Sequence, residues 1–210
     1  MKVLKVTTES RADTEAEAKL LIDQYKKGKA TYILGNHDEM LLNFLTYKED
    51  GLLNCIYNGL DVTVDQLSRS SWYEIRIDQS YIVNRIKENY PDLLSIMQKM
   101  IDKVEIGNFV ITHAGYSNLL RDPYQTHMWE VNNWAYSNFF VKWFQTSDDF
   151  VLQKTYLFGH WHAFQLRQEF QNGDGKITPE PFFYKNFVGL DACTTITKEV
   201  NIYIIDEEAI

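Results

Sequence analysis

The spacing of apolar and polar positions divides the chain into strand-like and helix-like stretches. Residues 2–6 alternate weakly and predict a short strand. Residues 15–27, EAEAKLLIDQYKK, predict a helix capped by Asp13 or Thr14. Acidic residues fill its first turn, lysines its last, and Gly28 follows, so both ends of the macrodipole are complemented. The β-like run 30–34 comes next. A helix beginning near Asp38 then carries Met40, Leu41, Leu42, Phe44 and Leu45. Residues 46–105 read as mostly helical: Ile82, Ile86 and Tyr90 lie four apart, and Leu93, Leu94, Met97, Met100 and Ile101 continue an apolar face past Pro91. This stripe reads as core or lid packing. Strands are expected at 103–106 and 108–112, joined at Gly107, and at 155–158, with an aromatic-bearing helix around 133–143 between them. After His162 a long polar loop is expected, with Asn172-Gly173-Asp174-Gly175 as its turn signal, followed by strands at 186–190 and 200–205. The strand–loop–helix order predicts an α/β fold. One domain over 1–210, with a helical insertion at about 62–101, accounts for the whole pattern.

Composition narrows the classes. At 210 residues the chain can bury a sizeable core. Its formal charge of −8 argues against general nucleic-acid binding, because backbone phosphates need compensating Lys and Arg; solubility is the plain reading of the acidity. No window approaches the ~18 apolar residues of a membrane span, and MKVLKVTTESRAD lacks the apolar stretch of a signal peptide. Cys55 and Cys193 lie far apart and in no CxxC spacing, so free thiols in a reducing compartment are expected, and with them a cytoplasmic location.

The candidate chemistry sits in three short motifs, each after a β-like run: Gly35-Asn36-His37-Asp38, His113-Ala114-Gly115 and Gly159-His160-Trp161-His162. Strands that deliver polar residues at their C-terminal ends can converge them on one rim of a sheet. In the first motif Asn36 can offer a carbonyl oxygen to a divalent metal. His37 can donate a proton, with Asp38 or Glu39 near enough in sequence to orient it. The same residues also describe a helix start, with Asn36 as cap and acids in the first turn. His113 alone, a single histidine at a strand end, is more often a structural residue. His160 and His162, two apart on leaving a strand, suit a transition-metal site better, neutral imidazole being a common ligand for Zn, Mn, Fe or Ni.

Taken in order, strand-GNHD, strand-HAG and strand-GHxH resemble the calcineurin-like metallophosphoesterases, and within them the bacterial and phage serine/threonine-phosphatase-like branch. Asn58-Gly59, Trp129 with Asn132 and Asn133, and the ending Gly189-Leu190-Asp191-Ala192-Cys193-Thr194 are similar to further segments of that branch, so the resemblance runs over roughly 9–205. It implies a four-layer αββα β-sandwich flanked by helices, with a site for two divalent ions, Mn foremost and Zn, Fe or Ni also accepted. It implies Asn36, His113 and His160 as ligands of one ion, His162 as ligand of the other, and His37 as the acid that protonates the leaving alkoxide. Arg11 and Asn58 are the implied substrate-binding residues. The implied reaction is hydrolysis of phosphomonoesters on a phosphorylated protein or small phosphoester; dinucleoside polyphosphate hydrolysis is the alternative within the enzyme class.

The chain departs from that pattern upstream. No Asp-x-His precedes GNHD, and Val6-Thr7-Thr8-Glu9-Ser10-Arg11-Ala12-Asp13 stands where Gly-Asp-x-x-Asp-Arg-Gly belongs. Thr7 or Thr8 replaces the bridging aspartate, and Glu9 or Ser10 lies near the place of the acid that supports His37. Three neutral ligands without an anionic one bind a hard cation weakly. The expectation is therefore an N-terminally truncated or degenerate member with impaired catalysis, holding one cation or acting as a phosphate- or protein-binding remnant. Loss of a central strand would leave apolar sheet edge uncovered, so self-association or a partner is expected. Asp191 either supports the site from the last strands or caps a turn.

Overall fold

Apolar positions at helical spacing need a partner face, and in the N-terminal half they supply one another's. The computed structural model describes residues 14–48, 55–71, 78–115 and 153–205. Arg11, the expected strand at 2–6, His127 and the expected helix at 133–143 lie outside them. Two compact units divide the chain between Met100 and Ile101.

The first unit is helical: α1 (Thr14–Lys26), α2 (Asn36–Leu45), α3 (Leu60–Ser68), α4 (Gln79–Asn89) and α5 (Leu93–Met97). Thr14, Ala18 and Leu21 form the buried face of α1. α3 packs on α4, α1 and α2, and α5 on α1 and α2. Phe44, Leu45, Leu60, Val64, Leu67, Ile82 and Ile86 are all essentially sealed from solvent. Each such side chain contributes about 1.5–3 kcal/mol of burial. Polar side chains close the helix ends where backbone groups run out of partners. Asp78 caps α4 by accepting from the Ser80 and Tyr81 N–H groups at 2.9 and 3.1 Å. Asn89 Nδ2 donates to the Leu67 carbonyl at the end of α3, at 3.0 Å. Gln79 Nε2 does the same for Phe44 at the end of α2, also at 3.0 Å.

The second unit holds a five-stranded mixed sheet in the order β1-β2-β3-β5-β4, from β1 (Lys103–Ile106), β2 (Phe109–Thr112), β3 (Thr155–His162), β4 (Phe182–Tyr184) and β5 (Phe187–Asp191). β1 and β2 form a hairpin around Gly107, whose φ of +54° is one glycine adopts without strain. β2, β3 and β5 are mutually parallel, and β4 returns antiparallel on the outer side of β5. The central strands bury successive residues rather than alternate ones, as Val110-Ile111-Thr112 and Tyr156-Leu157-Phe158 show, the pattern of strands covered on both faces. Helix α6 (Ala163–Gln171) packs on β3, β4 and β5. Ala163 and Leu166 enter a buried cluster with Val110, Tyr156, Phe158, Phe182 and Phe187. A last short helix, α7, spans Thr194–Thr197.

The architecture is thus mixed α/β, with the β1–β2 hairpin, β3 and β5 close to where the hydrophobic pattern put strands. Four local expectations change. Residues 30–34 form no strand; only Ile33 makes an isolated bridge, and Tyr32 is tied back to α1 by its hydroxyl, which donates to the Leu21 carbonyl at 3.0 Å. α2 starts at Asn36 rather than near Asp38. The expected loop after His162 is helix α6. Its turn signal ends that helix, with Asn172 at φ +54° and the Gly173 N–H donating to the Arg167 carbonyl at 3.0 Å. Residues 200–205 alternate in exposure but form no strand. Asn201 instead donates to the Pro179 and Leu190 carbonyls.

Candidate metal centre

The parallel strands β2, β3 and β5 are neighbours, so their C-terminal ends form one rim, the edge of an α/β sheet where ligands usually bind. His113 follows β2 directly. Its carbonyl accepts the Gly159 N–H at 2.8 Å, extending the β2–β3 pairing by one bond and setting His113 beside the start of Gly159-His160-Trp161-His162. Its side chain is buried.

β3 then departs from regular pairing. Phe158 pairs with Gly189 and His162 with Asp191, so four residue steps on β3 face two on β5. The surplus is taken up in a bulge in which His160 has a φ of +67°. A left-handed conformation at a non-glycine residue costs of order 1–3 kcal/mol and persists only where its surroundings enforce it. Bulges of this kind re-aim side chains at strand ends. The His160 ring lies edge-on to His113, centroids 5.1 Å apart and planes at 61°, and against Trp161 at 5.8 Å.

A 5.1 Å edge-to-face contact is ordinary ring packing, and it is also a spacing that a shared cation allows. With metal–nitrogen distances of about 2.1 Å, two imidazoles on one ion at roughly tetrahedral angles have ring centres about 5 Å apart. The donor chemistry is less generous, since two neutral nitrogens alone make a weak site for a hard cation. Among the described residues no group of three or more His, Cys, Asp and Glu side chains that could hold an ion comes together.

His162 has a different partner. Asp191 Oδ1 lies 3.2 Å from its Nδ1 and also accepts the Cys193 N–H at 2.8 Å. Asp191 therefore does both things its sequence position allowed: it supports a rim histidine and closes a turn. The carboxylate facing His162 is 29 residues away in the chain, so only the β3–β5 register reveals it.

The remaining candidates lie in the first unit. Gly35 is the N-cap of α2, in extended conformation, and the Asp38 carboxylate accepts its N–H at 3.0 Å through Oδ2. The Glu39 N–H donates to the Gly35 carbonyl at 3.0 Å. Asn36 and Asp38 are buried in the first turn and His37 is half-buried. The reading of this motif as a helix start thus holds, with Gly35 rather than Asn36 as the cap. Asn58 is exposed and precedes Gly59, which begins α3 in the left-handed conformation. Cys55 and Cys193 are buried and form no disulfide, and burial pushes the Cys55 thiol up to about 12.

No protein family, curated protein or solved structure matches the chain. The class that fold and site define is a mixed α/β protein with paired histidines at the C-terminal rim of three parallel strands. No helix among the described residues is long and apolar enough to cross a membrane.

Proposed function

We propose that the chain is a metal-dependent phosphoesterase of the serine/threonine-phosphatase type, acting on phosphomonoesters with reduced efficiency, and that its sheet belongs to a calcineurin-like sandwich. The observation that carries the reading is the His113–His160 pair, two imidazoles with ring centres 5.1 Å apart, one just after β2 and one in the adjacent parallel β3, the latter held in a strained backbone conformation. A divalent cation, Mn foremost, is the proposed occupant; bound there it would supply Lewis acidity toward a phosphoryl oxygen. Asn36 as a further ligand and His37 as proton donor to the leaving oxygen enter through the resemblance of their motif. So does Arg11 as the phosphate-binding cation. The proposed substrates are a phosphorylated protein or a small phosphoester.

Turnover of p-nitrophenyl phosphate with added Mn²⁺ tests this. The expected result is slow, metal-dependent hydrolysis that falls at least tenfold in His37→Ala, in line with the usual contribution of a general acid. Equal rates in the two proteins would remove the catalytic claim. A second reading, a single-cation phosphate- or protein-binding descendant, is favoured by the neutral donor set at the rim. It predicts metal and phosphate binding without turnover.

A further inference from the structure

Asp191 ends β5 at the position that pairs in register with His162, the last residue of β3. Its side chain is only 10% exposed, whereas that of His162 is 33% exposed. Phe164 and Asp191 both bear on the imidazole. The ring stacks on Phe164 in the first turn of α6, centroids 5.7 Å apart and planes 14° apart, which sets its plane. The Asp191 carboxylate at 3.2 Å from Nδ1 sets its rotation within that plane. His162 occupies the N-cap position of α6, yet its side chain makes no cap hydrogen bond there.

An ionised carboxylate only accepts, and Asp191 Oδ1 also takes the Cys193 N–H. The imidazole nitrogen facing it must therefore carry a proton. We infer that Asp191 is a positioning residue that holds neutral His162 as its Nδ1–H tautomer, leaving the lone pair on Nε2. In water a neutral imidazole prefers its proton on Nε2, so a histidine at this strand end without the carboxylate would present the other nitrogen. A carboxylate behind a histidine also raises its basicity as a ligand. The inference stands apart from the proposed function, whose cation is placed on His113 and His160. The tautomer rests on the geometry of β3, β5 and α6. If Asp191 served only to close the 191–193 turn, removing it would leave the ring's proton where it was.

Imidazole nitrogen chemical shifts of the metal-free full chain, recorded on neutral His162 and assigned with His162→Gln, read the tautomer directly. The wild type is expected in the Nδ1–H form. Asp191→Ala is expected to move the proton predominantly to Nε2. Asp191→Asn keeps an acceptor oxygen for both the Cys193 N–H and Nδ1–H, so it preserves the turn and the wild-type tautomer. A wild-type His162 protonated on Nε2, or an unchanged tautomer in a folded Asp191→Ala, overturns the inference. Mn²⁺ calorimetry separates it from the functional reading, whose ion is held by His113 and His160: Asp191→Ala should bind that ion as the wild type does. Absence of Mn²⁺ binding in the wild type would contradict the metal reading and leave the tautomer result standing.

Discussion

Two turns in this molecule follow apolar runs and carry a glycine and a histidine, and they use their polar residues in opposite ways. At the start of α2, Gly35 through Glu39 satisfy one another: Asp38 accepts the Gly35 N–H, and the Gly35 carbonyl begins the helix. Helix formation accounts for the roles of Gly35 and Asp38 there. Inside β3 the polar residues work against regular structure. His160 sits at positive φ in a bulge, where a regular strand would have cost less. A left-handed residue inside a strand is an outlier that the proposed function draws on, and its ring contacts with His113 and Trp161 are the structural alternative. The α2 turn gives no such signal by itself.

The comparison breaks most directly on stability. Asp38→Ala leaves a buried N–H without its acceptor and should cost about 1–3 kcal/mol in urea unfolding. Asp38→Asn keeps an acceptor and should cost about 1 kcal/mol or less. An unchanged midpoint in the alanine variant would mean the motif is not a helix start. His160→Gly should act with the opposite sign. Relief of the left-handed strain, offset by glycine's greater freedom in the unfolded chain, predicts a gain of up to about 1 kcal/mol together with loss of cation binding. A loss of stability of that size instead would show that the ring contacts with His113 and Trp161 hold the bulge together, and the functional reading of its strain would fall.

The smallest effect lies at the opposite edge of the sheet, away from the rim. Hydrogen bonds from Lys154 and Lys103 hold the Glu105 carboxyl down to about 2. Its folded value is below its unfolded one, so the stabilisation is present above the ordinary glutamate range of about 4.3 and is lost as pH falls toward about 2. These ion pairs are partly exposed, so the contribution is about 1 kcal/mol or less. Lys154→Ala should raise the Glu105 midpoint in a carboxyl titration followed by NMR. An unchanged midpoint would show that the pair is not formed in solution.

What was legible in the chain was local. The charge pattern and closing glycine of α1, the four-residue spacing in α4 and the glycine turn between β1 and β2 are each written within a dozen residues. Helix α6 was hidden because Ala163, Leu166 and Phe170 are its only strongly apolar positions on the packed face, set among Gln, Arg and Glu. Strand β4 was hidden because three residues between Pro181 and a turn become a strand only by pairing with β5. The alternation at 200–205 misled in the other direction: Val200, Ile202 and Ile204 have strand spacing but remain mostly exposed. At the site, the histidines were legible as types and order. The positive φ was not, because a reader would assign the sharp turn to Gly159 and it falls on His160. Nor was the Asp191–His162 pairing, which depends on a register between strands far apart in sequence.

The central claim is that His113 and His160 together hold a cation. Isothermal titration of Mn²⁺ into the wild type, His113→Ala, His160→Ala and His127→Ala tests it most directly. The account predicts one weakly bound ion in the wild type and in His127→Ala, and none in either rim variant. Equal binding in all four proteins, or none in the wild type, would contradict it.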